Sequence, residues 1–283
     1  MEVKQRGNVL GHTLILFIYK IFGYGFVSFI LNFVAIYYFF FTPSVRKNLF
    51  SYYEAIGIPL SNKNYFLHLK MFAFSILDRF ISRIKPDEFT FCIYNSEVVD
   101  NLNKDGGILL LSHVGSWASA AHCLENELPH MNVVMKENTT KSIKKFEQTK
   151  QRKNESNVTI IDLSQGAIAS NIQIANALMN NEVVAMMADR YVDEKQKIKV
   201  HFLGKEAYIN KAPFEIAKRI KKPLTTIFVM NYSAKKYELK LQIVEAGTVE
   251  EMAQSYINIL ENIVKLYPNQ WYNMYDFFKE VKN

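Results

Sequence analysis

A histidine closes an apolar run over residues 106–112, and a glycine, a serine and a tryptophan follow it almost at once (GGILLLSHVGSW). The run has strand character. His113 is therefore predicted at the end of a buried strand, on the rim of a sheet, where α/β enzymes place their chemistry. An imidazole has an unperturbed pKa near 6.5, so a small environmental shift makes it a working base at neutral pH. The plain alternative is a histidine that caps a strand or a helix. His122, His130 and His201 have no partner spacing and read as structural. No Cys/His cluster or HxxEH spacing suggests a metal. No phosphate loop or GxGxxG suggests a nucleotide cofactor, and no cofactor is expected. Cys92 and Cys123 lack a CxxC pairing and a nucleophile's surroundings, so they read as buried thiols of a reduced compartment.

The elements that must position His113 follow from periodicity. Helices are predicted over 44–58 and 63–84, the second with Phe66, Leu69, Phe72, Ala73, Ile76, Leu77 and Phe80 on one face. Lys85-Pro86-Asp87 breaks it. Strands are predicted over 89–94, 106–112, 132–135, 158–163, 183–188, 225–230 and 237–244, with a hairpin over 199–209. Helical patterns cover 97–102, 118–124, 167–179, 213–219 and 249–266. The alternation argues for an α/β domain with a mixed central sheet flanked by helices. Residues 136–153 carry seven basic and two acidic side chains. A solvated helix is the default there, and a docking face for phosphates or an acidic carrier is the functional reading.

The chain has 283 residues, 49% of them apolar and 14% aromatic, with a net charge of +7. That composition excludes disorder, and the charge favours an anionic partner: an acidic lipid surface, an acidic carrier protein or a nucleic acid. The last has no support from zinc spacing, RNP-type motifs or basic-region heptads, and no nucleic acid is expected. Residues 21–41 (IFGYGFVSFILNFVAIYYFFF) contain no charge. As a helix they span roughly 30 Å, close to the hydrocarbon thickness of a bilayer. Lys4, Arg6 and Lys20 precede the run and Arg46 and Lys47 follow it, so basic flanks set no orientation. A helix lying in the cytoplasmic leaflet fits as well as a full span. Tyr19, Tyr24, Tyr37 and Tyr38 are predicted near the headgroups. We divide the chain into an N-terminal membrane anchor segment over 1–45 and a catalytic α/β domain over 46–283.

Three separated motifs together resemble the bacterial lipid A biosynthesis acyltransferases, within the wider lysophospholipid acyltransferase-like superfamily. Ser112-His113-Val114-Gly115-Ser116-Trp117 is similar to that family's S-H-x-G-N-W block. Ala188-Asp189-Arg190, then Phe202-Leu203-Gly204 and Ala212-Pro213-Phe214, are similar to its acidic-Arg, F-x-G and G-P pattern. Residues 267–278 (YPNQWYNMYDFF) resemble its closing P-x-Q-W block. Arg6-Gly7 and the apolar N-terminal helix match as well. The resemblance covers nearly the whole chain, and Ser116 and Ala212 depart from the pattern. A larger departure is Ala118. The family's H-x4-Asp/Glu pattern puts a carboxylate there.

The resemblance implies transfer of a fatty acyl group from an acyl carrier protein or coenzyme A thioester to a hydroxyl or amine of a lipid acceptor. The implied acceptor is a lipid A precursor, another glycolipid or aminolipid, or a pigment-like aryl-polyene lipid, at the cytoplasmic face of a bacterial inner membrane. Such a transfer needs a base, a group that holds its tautomer, and donors for the oxyanion. His113 is the candidate base. Asp189 is the candidate orienting carboxylate, since it ends a strand able to lie beside that of His113; Glu125 is a poorer substitute. Arg190 suits a phosphate of donor or acceptor, and the plain alternative for Asp189-Arg190 is a salt bridge at a strand end. The N–H groups of Gly115 and Ser116 are candidate oxyanion donors at a helix N-terminus. Trp117 and Lys136 complete the expected substrate-binding set. Trp271 is expected chiefly to pack the C-terminal block onto the core. Two rivals stay open: a catalytically degenerate, membrane-attached relative that binds lipid or carrier, which Ala118 motivates, and an acyltransferase with a non-lipid acceptor.

Overall fold

A computed structural model describes residues 9–120, 123–124, 127–136, 157–191, 193–245 and 247–278. Its centre is a seven-stranded sheet. The strands are β1 (Thr90–Tyr94), β2 (Gly107–Leu111), β3 (Met131–Met135), β4 (Val158–Asp162), β5 (Val183–Met187), β8 (Leu224–Ser233) and β9 (Lys236–Val244), and β6 (Lys197–Phe202) and β7 (Lys205–Asn210) form a separate hairpin. The sheet order is β1-β9-β8-β2-β5-β3-β4. Only β8 and β9 pair antiparallel; every other neighbouring pair in the sheet is parallel.

The central strand β2 is buried along its whole length, which explains its unbroken apolar run: helices cover both faces. Ile108 and Leu110 point into one core cluster and Leu109 into the other. The first cluster gathers α2 (Pro43–Ala55), α5 (Ala167–Met179), α6 (Ala212–Ile220) and α7 (Val249–Leu266); the second gathers much of α1 (Val9–Phe41) and α4 (Ser96–Asp105). The long helix α3 (Asn62–Ile84) contributes Tyr65 and Leu69 to one cluster and Leu77 and Ile81 to the other. It packs against α1 and against the turns at Trp117–Ser119 and Pro268–Gln270. The fold is thus a mixed sheet flanked by helices.

One predicted element differs, and one cannot be compared. After His113 the chain forms a 3-10 turn at Trp117–Ser119 where an α-helix was expected to begin. The basic run beyond Lys136, together with His122 and Glu125, lies outside the described residues.

The apolar helix α1 is interrupted at Gly23, whose φ of 74° and ψ of 179° suit a residue without a side chain. One of its faces packs inward through Leu16, Val27, Leu31 and Ala35. The other exposes Phe22, Phe26, Phe29, Phe33, Phe40 and Phe41. Tyr19 and Tyr24 belong to the inward face: the Tyr19 hydroxyl donates to Glu88 (2.8 Å) and that of Tyr24 to Asp78 (2.9 Å). This corrects their predicted place among interfacial aromatics, because a buried phenol needs a polar partner and the domain supplies one. Tyr37 does project outward.

Candidate active site

The parallel register of β2 and β5 pairs Leu111 with Met187. The next residues of both strands therefore leave the same sheet edge side by side, and they bring His113 against Asp189. The Asp189 carboxylate, 2% exposed, accepts three hydrogen bonds. Its Oδ2 takes the backbone N–H of His113 (2.8 Å) and the Trp271 indole N–H (3.2 Å), and its Oδ1 faces His113 Nδ1 (2.9 Å). Burial alone would raise the Asp189 pKa; the His113 charge and these hydrogen bonds outweigh it and hold the carboxyl below its ordinary value. An ionised carboxylate only accepts. Nδ1 must then carry the proton, and Nε2 keeps a lone pair. Among the described residues Nε2 has no hydrogen-bond partner, and the imidazole is 39% exposed. This is the tautomer a general base needs.

Burial pushes the His113 pKa down, the Asp189 charge and hydrogen bond push it up, and the nearby Arg190 charge opposes them; the balance lies above the ordinary 6.5. A base must be neutral to act, so transfer is expected to fall as pH drops through an inflection above 6.5 in a pH profile of kcat/KM. The contribution to stability runs differently. The raised His113 pKa stabilises the fold below 6.5 and that gain is lost as pH rises through the raised value. The lowered Asp189 pKa stabilises it above the carboxyl's ordinary value and is lost as pH falls through the lowered one.

The closing block holds this pair from behind. Val114 bridges antiparallel to Trp271, and the Tyr272 N–H donates to the His113 carbonyl (2.8 Å). Gln270 clamps β8, accepting the Asn231 N–H (3.0 Å) and donating to its carbonyl (2.7 Å). Trp271 is fully buried among Tyr52, Phe202 and Phe277. It packs as expected, and it is also a donor to the orienting carboxylate.

The N–H groups of Gly115 and Ser116 are engaged elsewhere: Gly115 donates to the Gln270 carbonyl (2.7 Å) and Ser116 to that of Val229 (2.8 Å). Their reading as oxyanion donors is corrected, since both already have strong acceptors in the protein. Gly115 has another task. Its φ is +69°, and a Cβ there would run into the Val229 carbonyl oxygen. Gly115→Ala is expected to destabilise the protein by roughly 3 kcal/mol or more, read as a lowered urea midpoint, because strain and overpacking add. The Ser116 hydroxyl binds that of Ser119 (2.5 Å), and Trp117 is half-buried beside it.

Asp189 and Arg190 do not form a salt bridge. The Arg190 guanidinium lies 4.7 Å from the Tyr275 ring centroid and makes no ion pair among the described residues. Lys136 leaves the same sheet edge at the end of β3, beyond β5, with its side chain exposed. Ala118, on the 3-10 turn, has no carboxylate to offer. Cys123 is unsuited to nucleophilic attack, since burial pushes its thiol up to about 11. No group of metal-ligating side chains occurs among the described residues.

A carboxylate-oriented imidazole with a free Nε2 at a parallel-sheet edge has the geometry to take a proton from an acceptor group. The family model for bacterial lipid A biosynthesis acyltransferases matches residues 66–280, and the chain belongs to that family. It is an acyltransferase of the kind that moves groups other than aminoacyl groups. None of the curated proteins compared with the chain matches it.

Proposed function

We propose that the protein transfers a fatty acyl group from an acyl carrier protein or coenzyme A thioester to a hydroxyl or amine of a lipid A precursor or related glycolipid, at the cytoplasmic face of a bacterial inner membrane. The observation that carries this reading is the His113–Asp189 pair with Nε2 open at the sheet edge. His113 Nε2 takes the acceptor proton as the acceptor oxygen or nitrogen attacks the thioester carbonyl carbon. The tetrahedral intermediate collapses with loss of the thiolate, which takes the proton back from the imidazolium. Asp189 holds the tautomer and stabilises the imidazolium. Asp189 stands in for the carboxylate that Ala118 lacks, and this argues against a degenerate binder. Arg190, fixed on Tyr275, and Lys136 at the same edge suit the phosphates of donor or acceptor.

The exposed phenylalanines of α1 support membrane attachment, since so long an apolar stripe is rare on a soluble monomer. The Tyr19–Glu88 and Tyr24–Asp78 bonds favour a helix lying in the interface, because a spanning helix held this way would draw two carboxyl groups toward the bilayer. Residues 1–45 then serve as anchor and 46–283 as the catalytic domain. Lipid mass spectrometry tests the reading. Cells with the wild-type protein should contain a lipid heavier by one acyl chain that is missing from cells with the gene deleted or with His113→Ala. Identical lipids in all three would overturn it.

A further inference from the structure

Where α1 ends, the surface changes from apolar to charged. A cleft of about 790 Å³ opens beside the first turns of α2, with Arg46, Lys47, Ser51 and Asp276 among its walls. Through Phe50 and Leu60 it adjoins a smaller apolar notch of about 260 Å³ that also holds Ile58 and Pro59. Phe50, well exposed, lines both, and the exposed Phe40 and Phe41 end α1 just before Pro43, another residue of the cleft wall. Arg46 is held in place: it donates to Asn62 Oδ1 (2.8 Å), and its guanidinium lies 5.8 Å from the Phe39 ring centroid and 5.4 Å from that of Tyr65. Neither Arg46 nor Lys47 makes an ion pair among the described residues. The Asp276 carboxylate accepts the Ser51 hydroxyl (2.7 Å) and has no cation partner among the described residues.

We infer that this cleft binds the headgroup of a membrane phospholipid, with its phosphate on Arg46 and Lys47 and a headgroup amine on Asp276. Three features point to that occupant. Two uncompensated cations match a phosphate. One carboxylate in the same cleft matches an ammonium beside the phosphate and disfavours a purely anionic group. The apolar notch and the exposed Phe50 provide for the chain-bearing end of an amphipathic ligand, next to the helix that carries the exposed phenylalanine stripe. The site is distinct from the reacting groups at His113. It rests on the membrane attachment proposed above.

Native mass spectrometry of the purified full chain in detergent tests it, with dioleoyl phosphatidylethanolamine, dioleoyl phosphatidylglycerol or dioleoylglycerol added. The wild type should retain one phosphatidylethanolamine, less phosphatidylglycerol and no dioleoylglycerol. Arg46→Gln/Lys47→Gln should weaken phosphatidylethanolamine binding at least about tenfold, as expected for lost charge-assisted contacts. Lys47→Gln alone should weaken it severalfold; that side chain is exposed, so folding is not at stake. Asp276→Asn should weaken phosphatidylethanolamine and spare phosphatidylglycerol. Equal retention of dioleoylglycerol, or indifference to the two cation substitutions, overturns the site. Equal binding of the two phospholipids overturns the amine contact. Binding is read without an acyl donor, so a failure of acyl transfer leaves this result untouched.

Discussion

Replacing His113 by alanine is expected to lower the rate of acyl transfer by roughly 10²–10⁴-fold, the usual contribution of a positioned general base. The acceptor hydroxyl would then lose its proton only to water, and the imidazolium that reprotonates the leaving thiolate would be missing. The fold should survive. Asp189 keeps a backbone N–H and the Trp271 indole as donors, so the variant should fold with a lowered thermal midpoint, since removing one partner of a pair whose carboxylate is buried costs up to about 3–5 kcal/mol. The rate is measured on purified protein with an acyl thioester and a lipid acceptor, and the thermal midpoint on the same preparation. A residual rate within tenfold of wild type, from a folded variant, would remove His113 from the chemistry.

Asp189→Asn should be nearly as damaging by a different route. Asparagine fits the buried space and its one carbonyl oxygen can still accept the His113 N–H or the indole. Its amide nitrogen, however, is a donor. Facing Nδ1, it selects the tautomer with the proton on Nε2, where the base must be empty. A loss of roughly 10⁴-fold accompanies the corresponding change in Ser-His-Asp enzymes, the worked case for such triads. A second signature separates orientation from plain structural damage. Asp189 is what holds the His113 pKa up, while burial and Arg190 both push it down. Without the carboxylate the residual activity should show its acid inflection below 6.5, moved downward from the wild-type position. An unmoved inflection would mean that Asp189 is only structural.

The strands that lead to His113 and Asp189 were legible because a strand buried on both faces writes itself as an unbroken apolar run. Their adjacency rests on sheet order, which periodicity does not contain; the three shared motifs supplied the expectation. What escaped the sequence was made at long range. Trp271 reaches Asp189 across 82 residues and Gln270 reaches Asn231 across 39, because β5 and β8 flank β2 and the closing block passes behind all three. A Trp in a block so rich in aromatics was a usable signal: a buried indole needs an acceptor. The donors assigned to Gly115 and Ser116 failed because a turn at positive φ sends both N–H groups into neighbouring backbone. The inward face of α1 was hidden by the break at Gly23 and by acidic partners on distant elements.

Trp271 and Gln270, which brace the site, come late in the chain. The apolar α1 leaves the ribosome early and is available to a membrane while the rest is still being made. His113 and Asp189 follow, yet the indole that braces the carboxylate and the carbonyl that fixes Gly115 arrive only with the closing block. On the proposed membrane attachment, a nascent chain would settle on a bilayer with His113 and Asp189 still unbraced. On the proposed function, the His113–Asp189 pair is braced only once that block is in place, and a translation product cut short before it would keep α1 while lacking the Trp271 and Gln270 contacts.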